Sequence, residues 1–312
     1  MSLRALYELP APAKLNLFLH IIGRRPDGYH LLQSPFVLID WADTLHVERR
    51  DDGRLLRHDL GPALPADDLC LRAARALQAA SGCSLGADIS VDKHVPWGAG
   101  MGGGSSDAAT VLLALNRLWG LHWPRQRLAE LGLRLGADVP FFIGGDNAFV
   151  EGIGERLTPI SLPVATYAVV KPAASLPTSE IFSHPKLVRD TEAVILLGFL
   201  DEVKHSGASR SGGRGWMPGY GNEQVDFADF GRNDLQIPAQ DRCPEVAHAS
   251  QWLEARFGNS RMTGSGSAVF SRVGTDPTPG ATLAEDGLPQ GWVGRMCRSL
   301  ASHPLRDWAD AD

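Results

Sequence analysis

Five of the seven residues from Gly98 to Gly104 are glycine. A loop without side chains lets backbone N–H groups approach a ligand closely and adopt positive φ. Ser105, Ser106 and Asp107 follow it and lead into Ala108-Ala-Thr-Val-Leu-Leu-Ala-Leu115, a strong helix former with Ser or Asp available as N-cap. A glycine loop that opens a helix gathers free N–H donors and the positive end of the helix dipole at one point. That is an anion site, and the common biological anion there is a phosphate. The alternative is a flexible surface loop, but linker-type glycine runs rarely end in a capped apolar helix.

Three phosphate-binding patterns can be tested. Walker A closes with Gly-Lys-Ser/Thr, and the dipeptide Gly-Lys is absent from the chain. Gly98, Gly100 and Gly103 satisfy G-x-G-x-x-G. A dinucleotide fold, however, places that loop directly after its strand, with an acid ~20 residues on. Here Lys93 to Trp97 intervene, and no acid lies between Asp107 and Glu130. Asp229-Phe230-Gly231 echoes a protein kinase, but no His-Arg-Asp loop precedes it and the tripeptide is read as chance.

The elements around the loop follow from pattern. Ala87, Ile89 and Val91 alternate in a strand that feeds it. Ala11 to Ile22 alternates too, with Leu15, Leu17, Leu19 and Ile21 on one face and Lys14 and Asn16 on the other. Gly23 to His30 is a turn by its Pro26-Asp-Gly28 chemistry. Pro35–Ile39 and Thr44–Arg49 read as a strand pair around Asp40-Trp-Ala-Asp43. Asp67 caps a helix that Gly82 stops, and Pro124 starts another that ends near Gly136. Glu151 to Glu155 is a tight turn, and Leu162-Pro163 marks the expected boundary between residues 1–163 and 164–312. Beyond it come a strand over Thr166–Val170, a helix from Pro177 and an amphipathic helix over Pro244–Phe257. His205 to Asn222 is Gly-, Ser- and Arg-rich without periodicity, which reads as a mobile loop. The tail from Pro304 carries no signal.

A chain of 312 residues suggests two domains sharing a cleft, and strands and helices mix without regular βαβ alternation, so the class is α+β. A net charge of −6 with no Lys/Arg cluster argues against a nucleic-acid partner. The four cysteines form no C-x-x-C pair, which suits a reduced, metal-free role. No signal peptide and no run long enough for a bilayer are visible, so a cytoplasmic location without a membrane partner is expected. The oligomeric state is left open.

Pro96-Trp97-Gly98-Ala99-Gly100-Met101-Gly102-Gly103-Gly104-Ser105-Ser106 resembles the signature of the GHMP kinases. The likeness extends, in order, to Pro12-Ala-Lys14-Leu-Asn16-Leu, Asp27-Gly-Tyr29-His30, Gly136-Ala-Asp138-Val-Pro-Phe-Phe142, Arg232-Asn-Asp-Leu235 and Met262-Thr-Gly-Ser-Gly266. It implies an N-terminal domain like ribosomal protein S5 domain 2, a ferredoxin-like C-terminal domain, and ATP and substrate between them. It further implies that residues 96–106 and Lys93 bind ATP, with Mg²⁺ expected but no ligand assignable. Lys14 and Asp138 would be catalytic, Asp138 taking the hydroxyl proton. Asn16, Tyr29, His30, Thr178 and Phe182 would bind a small-molecule alcohol carrying a cytidine diphosphate group, phosphorylated at a 2-hydroxyl for isoprenoid synthesis. Plainer roles stand beside each: an exposed strand edge for Lys14 and Asn16, a capped turn for Tyr29 and His30, an N-cap for Asp138. Lys93 could be merely solvated, and Thr178 and Phe182 a helix cap and a core ring. Other acceptors, homoserine or mevalonate, and a catalytically dead nucleotide-binding regulator are the alternatives.

Overall fold

The computed structural model describes residues 3–200, 230–273, 283 and 287–309. The Gly/Ser/Arg segment 205–222 and Asp229 lie outside the described residues. Seven strands form the first sheet: β1 (Ala5–Asn16), β2 (His20–Arg24), β3 (His30–Arg50), β4 (Leu55–Asp59), β5 (Gly86–Asp92), β6 (Ala148–Gly152) and β7 (Arg156–Pro159). β3 is its spine, 21 residues long and paired with β1, β2, β5 and β6. Only the β4–β5 pair is parallel. The expected strand pair around residues 40–43 is therefore one continuous strand. Its two aspartates do not turn the chain, because both are bonded sideways. Asp40 accepts from the Arg298 amide, and Asp43 from the His94 and Val95 amides.

Four helices cover this sheet: α1 (Leu69–Ser81), α2 (Gly103–Leu118), α3 (Arg125–Leu133) and α4 (Val139–Gly144). α1 is capped by Asp68, not Asp67; the Asp68 carboxylate accepts from the Leu71 amide. α2 begins at Gly103, earlier than Ser105–Asp107 suggested, and Gly102 caps it at φ 72° without any side-chain bond. It is buried almost all round, with Leu112, Leu113 and Leu115 in the core. Each such leucine stabilises the fold by roughly 1.5–3 kcal/mol on burial. The expected single alternating strand over residues 11–22 also differs. β1 stops at Asn16, the chain bends, and β2 starts at His20. Both faces of this stretch are covered, so Lys14 and Asn16 are buried at 3% and 1% exposure and form no exposed edge.

The second sheet holds β8 (Thr166–Lys171), β9 (Arg261–Met262), β10 (Val269–Val273) and β11 (Val293–Arg298) in the order β11-β8-β10-β9, all antiparallel. That is the 4-1-3-2 order of a ferredoxin-like sheet. α5 (Thr178–Phe182), α6 (Gln236–Arg242) and α7 (Pro244–Phe257) accompany it. One apolar cluster joins both sheets, bringing Leu15, Val37 and Phe149 against Tyr167, Phe270 and Cys297. The tail after β11 returns to the first sheet. Ser299 bridges to Ile39 and Ser302 to Asp146, and Arg125 donates to the carbonyls of Arg306 and Ala309. Leu305 and Ala309 are buried in the first core, where the sequence offered no signal.

Candidate active site

The glycine loop lies between β5 and α2, and the carbonyls of Gly98 to Gly102 are all engaged. Gly98 and Ala99 accept from the amides of Ser267 and Ala268. Gly100 accepts from Lys14 Nζ at 3.0 Å, Met101 from the Lys14 amide and Gly102 from the Ser106 amide. The side chains of Ala99 and Met101 point into the core. With carbonyls turned into the protein, the N–H groups are what the loop can offer outward, and the first turn of α2 adds amides with no intrahelical acceptor. Backbone donors gathered in this way are the arrangement that suits an anion. Glycine is required most strictly at Gly100, where φ is 72° and any Cβ would run into the Thr263 carbonyl oxygen. The Met262–Gly266 stretch thus backs the loop directly, and Gly264 packs on Gly100 from its side.

Lys14 enters from the end of β1. Its ammonium donates to Asn16 Oδ1 at 2.6 Å, lies 4.6 Å over the Phe36 ring and stands 3.7 Å from Asp138 Oδ2. Burial lowers its pKa below that of a free lysine, and Asp138 partly offsets the effect. Asp138 sits at the N-cap of α4, but its side chain makes no capping bond. That carboxylate is 31% exposed and free to meet a substrate. Asn16 holds Lys14 in place: its amide nitrogen donates to Ser34 Oγ and its backbone amide to Thr263 Oγ1. It therefore supports the lysine rather than lining open space.

Lys93, expected to bind ATP, has its charge taken up within the protein. Its ammonium is bound between the carboxylates of Asp43 and Asp107, with 2.7 Å to Asp107. It lies beneath the loop, since a Cβ on Gly103 would come within 3.4 Å of its Nζ. Ser105 is half-buried, whereas Ser106 is fully buried and its Oγ has no partner among the described residues. Pro96 and Trp97 border a cavity of about 560 Å³ whose other walls include Trp41, Leu64, Pro65 and Val293. Trp97 is 62% exposed, an open ring face beside the loop.

The residues expected to hold a base gather on a second wall. The His30 and Phe182 rings lie 5.2 Å apart at 33°, and Tyr29 is an exposed ring next in sequence. Thr178 Oγ1 and Ser265 Oγ share a hydrogen bond of 2.8 Å, which ties α5 to the stretch behind the glycine loop. Sequence reasoning missed Asp43, Thr263 and Arg189. Among the described residues, no group of three or more His, Cys, Asp or Glu side chains could cage a metal ion.

The GHMP kinases N terminal domain profile matches residues 68–146. By fold the chain resembles GHMP-type kinases at large: a mevalonate kinase structure superposes with a TM-score of 0.61 over 93% of this chain and 98% of its own, at 13% identity. A crystal structure of 4-(cytidine 5'-diphospho)-2C-methyl-D-erythritol kinase superposes with a TM-score of 0.68 at 35% identity, over 85% of this chain and 89% of its own. The 4-diphosphocytidyl-2-C-methyl-D-erythritol kinase of Methylibium petroleiphilum is 61% identical over 99% of this chain and 100% of the relative. That of Variovorax paradoxus is 56% identical over 98% and 100%. The chain belongs to the 4-diphosphocytidyl-2-C-methyl-D-erythritol kinase family.

Proposed function

We infer that the chain transfers the terminal phosphate of ATP to the 2-hydroxyl of 4-diphosphocytidyl-2-C-methyl-D-erythritol, giving the 2-phosphate and ADP in the methylerythritol phosphate route to isoprenoids. The observation that carries the acceptor is the near-complete, 61% identity with a kinase of that name. The geometry supports the chemistry. Phosphoryl transfer asks a protein mainly to align groups and neutralise charge. In this reading the outward amides of residues 98–105 hold the phosphates, and the cavity beside Trp97 receives the adenine. Asp138 accepts the proton of the attacking hydroxyl, and the Lys14 ammonium, 3.7 Å away, stabilises the charge that develops on the transferring group. Mg²⁺ would accompany ATP and neutralise phosphate charge, with none of the described side chains assigned to hold it. His30, Phe182 and Tyr29 take the cytosine, where a base stacked on an aromatic ring gains ~1–3 kcal/mol. Residues 1–163 and 164–312 are the two domains of this enzyme, with the tail after β11 crossing back to pack on the first, and its location is cytoplasmic.

The test is ADP release with four acceptors in parallel: the cytidine-diphosphate form of methylerythritol, free methylerythritol, homoserine and mevalonate. Turnover is expected only with the first. Faster turnover on homoserine or mevalonate would overturn the acceptor and leave the kinase class standing.

A further inference from the structure

Arg189 bonds to both residues of the proposed base site, to the His30 ring and to the Phe182 backbone, and every hydrogen bond it makes is a donation. Its Nε donates to His30 Nε2 at 3.2 Å. One terminal nitrogen donates to the Leu187 carbonyl, and the other to the carbonyls of Phe182 and His184. One guanidinium thus holds His30 from the start of β3 together with the end of α5 that carries Phe182. A guanidinium has donors only, so the His30 nitrogen facing it must be the acceptor. A neutral imidazole with a bare Nε2 carries its hydrogen on Nδ1. His30 Nδ1 has no hydrogen bond with the described residues.

We propose that Arg189 fixes His30 as the Nδ1–H tautomer, and so presents to the base a hydrogen-bond donor that matches the N3 and O2 acceptors of cytosine. The proposal rests on the reading of His30 and Phe182 as the base site. A donor set against N3 accepts cytosine and rejects uracil, whose N3 carries a hydrogen, because the mismatch leaves two buried donors facing each other. The guanidinium also disfavours a proton on the Nε2 that faces it. Burial, then Arg189 and Arg24, hold its pKa below the ordinary histidine value, and the charged groups acting on it are both cations. Arg189 is a positioning residue here, acting through His30 and Phe182.

Nitrogen NMR of the full chain labelled at histidine reads the tautomer directly, with His30→Gln assigning the signal. The wild type is expected to show a protonated Nδ1 and a bare Nε2 at about pH 8. In Arg189→Met the ring should move toward the Nε2–H form usual for free imidazole and titrate at a higher pH than in the wild type, with burial and Arg24 still holding it below the ordinary value. Kinetically, Arg189→Met should raise KM for the cytidine-diphosphate acceptor roughly tenfold, the worth of one hydrogen bond, and lower the preference over its uridine counterpart. KM for ATP and kcat should hold within a fewfold. Arg189→Lys keeps one donor and should recover part of the acceptor affinity. An Nε2–H wild-type ring, or a tautomer indifferent to Arg189→Met, overturns the proposal on the free protein, whatever the substrate. A wild type that ignores the cytidine acceptor overturns the base-site reading instead.

Discussion

Two largely buried ammonium groups flank the glycine loop, and they are neutralised to different degrees. Lys93 sits between two carboxylates, and Asp107 and Asp43 raise its pKa in spite of burial. Lys14 has neutral partners within hydrogen-bond reach, a single carboxylate at 3.7 Å, and a pKa lowered by burial. Both are lysines near the same loop, yet only Lys14 retains charge that an incoming anion can meet. Proximity to a phosphate loop does not make a lysine catalytic; incomplete neutralisation is the better sign.

Substitutions can break this contrast. The largest effect is expected at Lys14 and Asp138. Lys14→Ala or Asp138→Asn should each cost on the order of 10²–10⁴ in kcat with Tm little changed. The double variant should lose little more than the worse single one, because groups that act together are non-additive. Additive losses would give the two residues separate tasks. Next comes Lys93→Met, which leaves Asp43 and Asp107 without their cation and should lower stability by about 3–5 kcal/mol in denaturant titrations. KM for ATP in the folded fraction should hold within a fewfold. A stable Lys93→Met protein with a much raised KM for ATP would put Lys93 on the nucleotide after all.

pH sharpens the same contrast more gently. Because burial lowers the Lys14 pKa, kcat should fall on the alkaline side at a pH below the 10.4 of a free lysine. Lys14→Arg should move that limb upward in whatever activity it keeps. At the other lysine, burial pushes the Asp107 carboxyl up while the Lys93 ammonium at 2.7 Å opposes it, and the raised Lys93 pKa keeps the pair ionised. Asp107→Asn removes one carboxylate from that pair and should lower Tm across neutral pH, by less than Lys93→Met.

Much of this arrangement is readable in the chain, because the motifs are local. The glycine loop, Lys14-Leu-Asn16 and Asp138-Val-Pro each place chemistry within a few residues, and alternation locates β5 and β8 closely. What escaped was set by distance. Thr263 supports Asn16 from 247 residues away, and nothing in either segment points at the other. Asp107 looked like a cap because the helix was expected to start at the serines. With α2 starting at Gly103, Asp107 falls a full turn inside and is driven into the core beside Lys93. Asp43 was hidden by Asp-Trp-Ala-Asp, a string with turn chemistry that β3 runs straight through. Arg189 lies in a stretch with no periodicity, and its bonds to three carbonyls leave no pattern.

The returning tail has a consequence for how the chain is made. A ribosome adds ~5–20 residues per second. The first sheet is complete in sequence at Pro159, yet Leu305, which closes its core, is synthesised roughly 7–30 s later at that pace. The carbonyls of Gly98 and Ala99 wait likewise for Ser267 and Ala268. The nascent N-terminal half therefore stays incompletely packed while the rest emerges, and its apolar surface is open to chaperones during that interval. The glycine loop takes its final form only once both halves exist, so a stalled or truncated chain has no finished anion site.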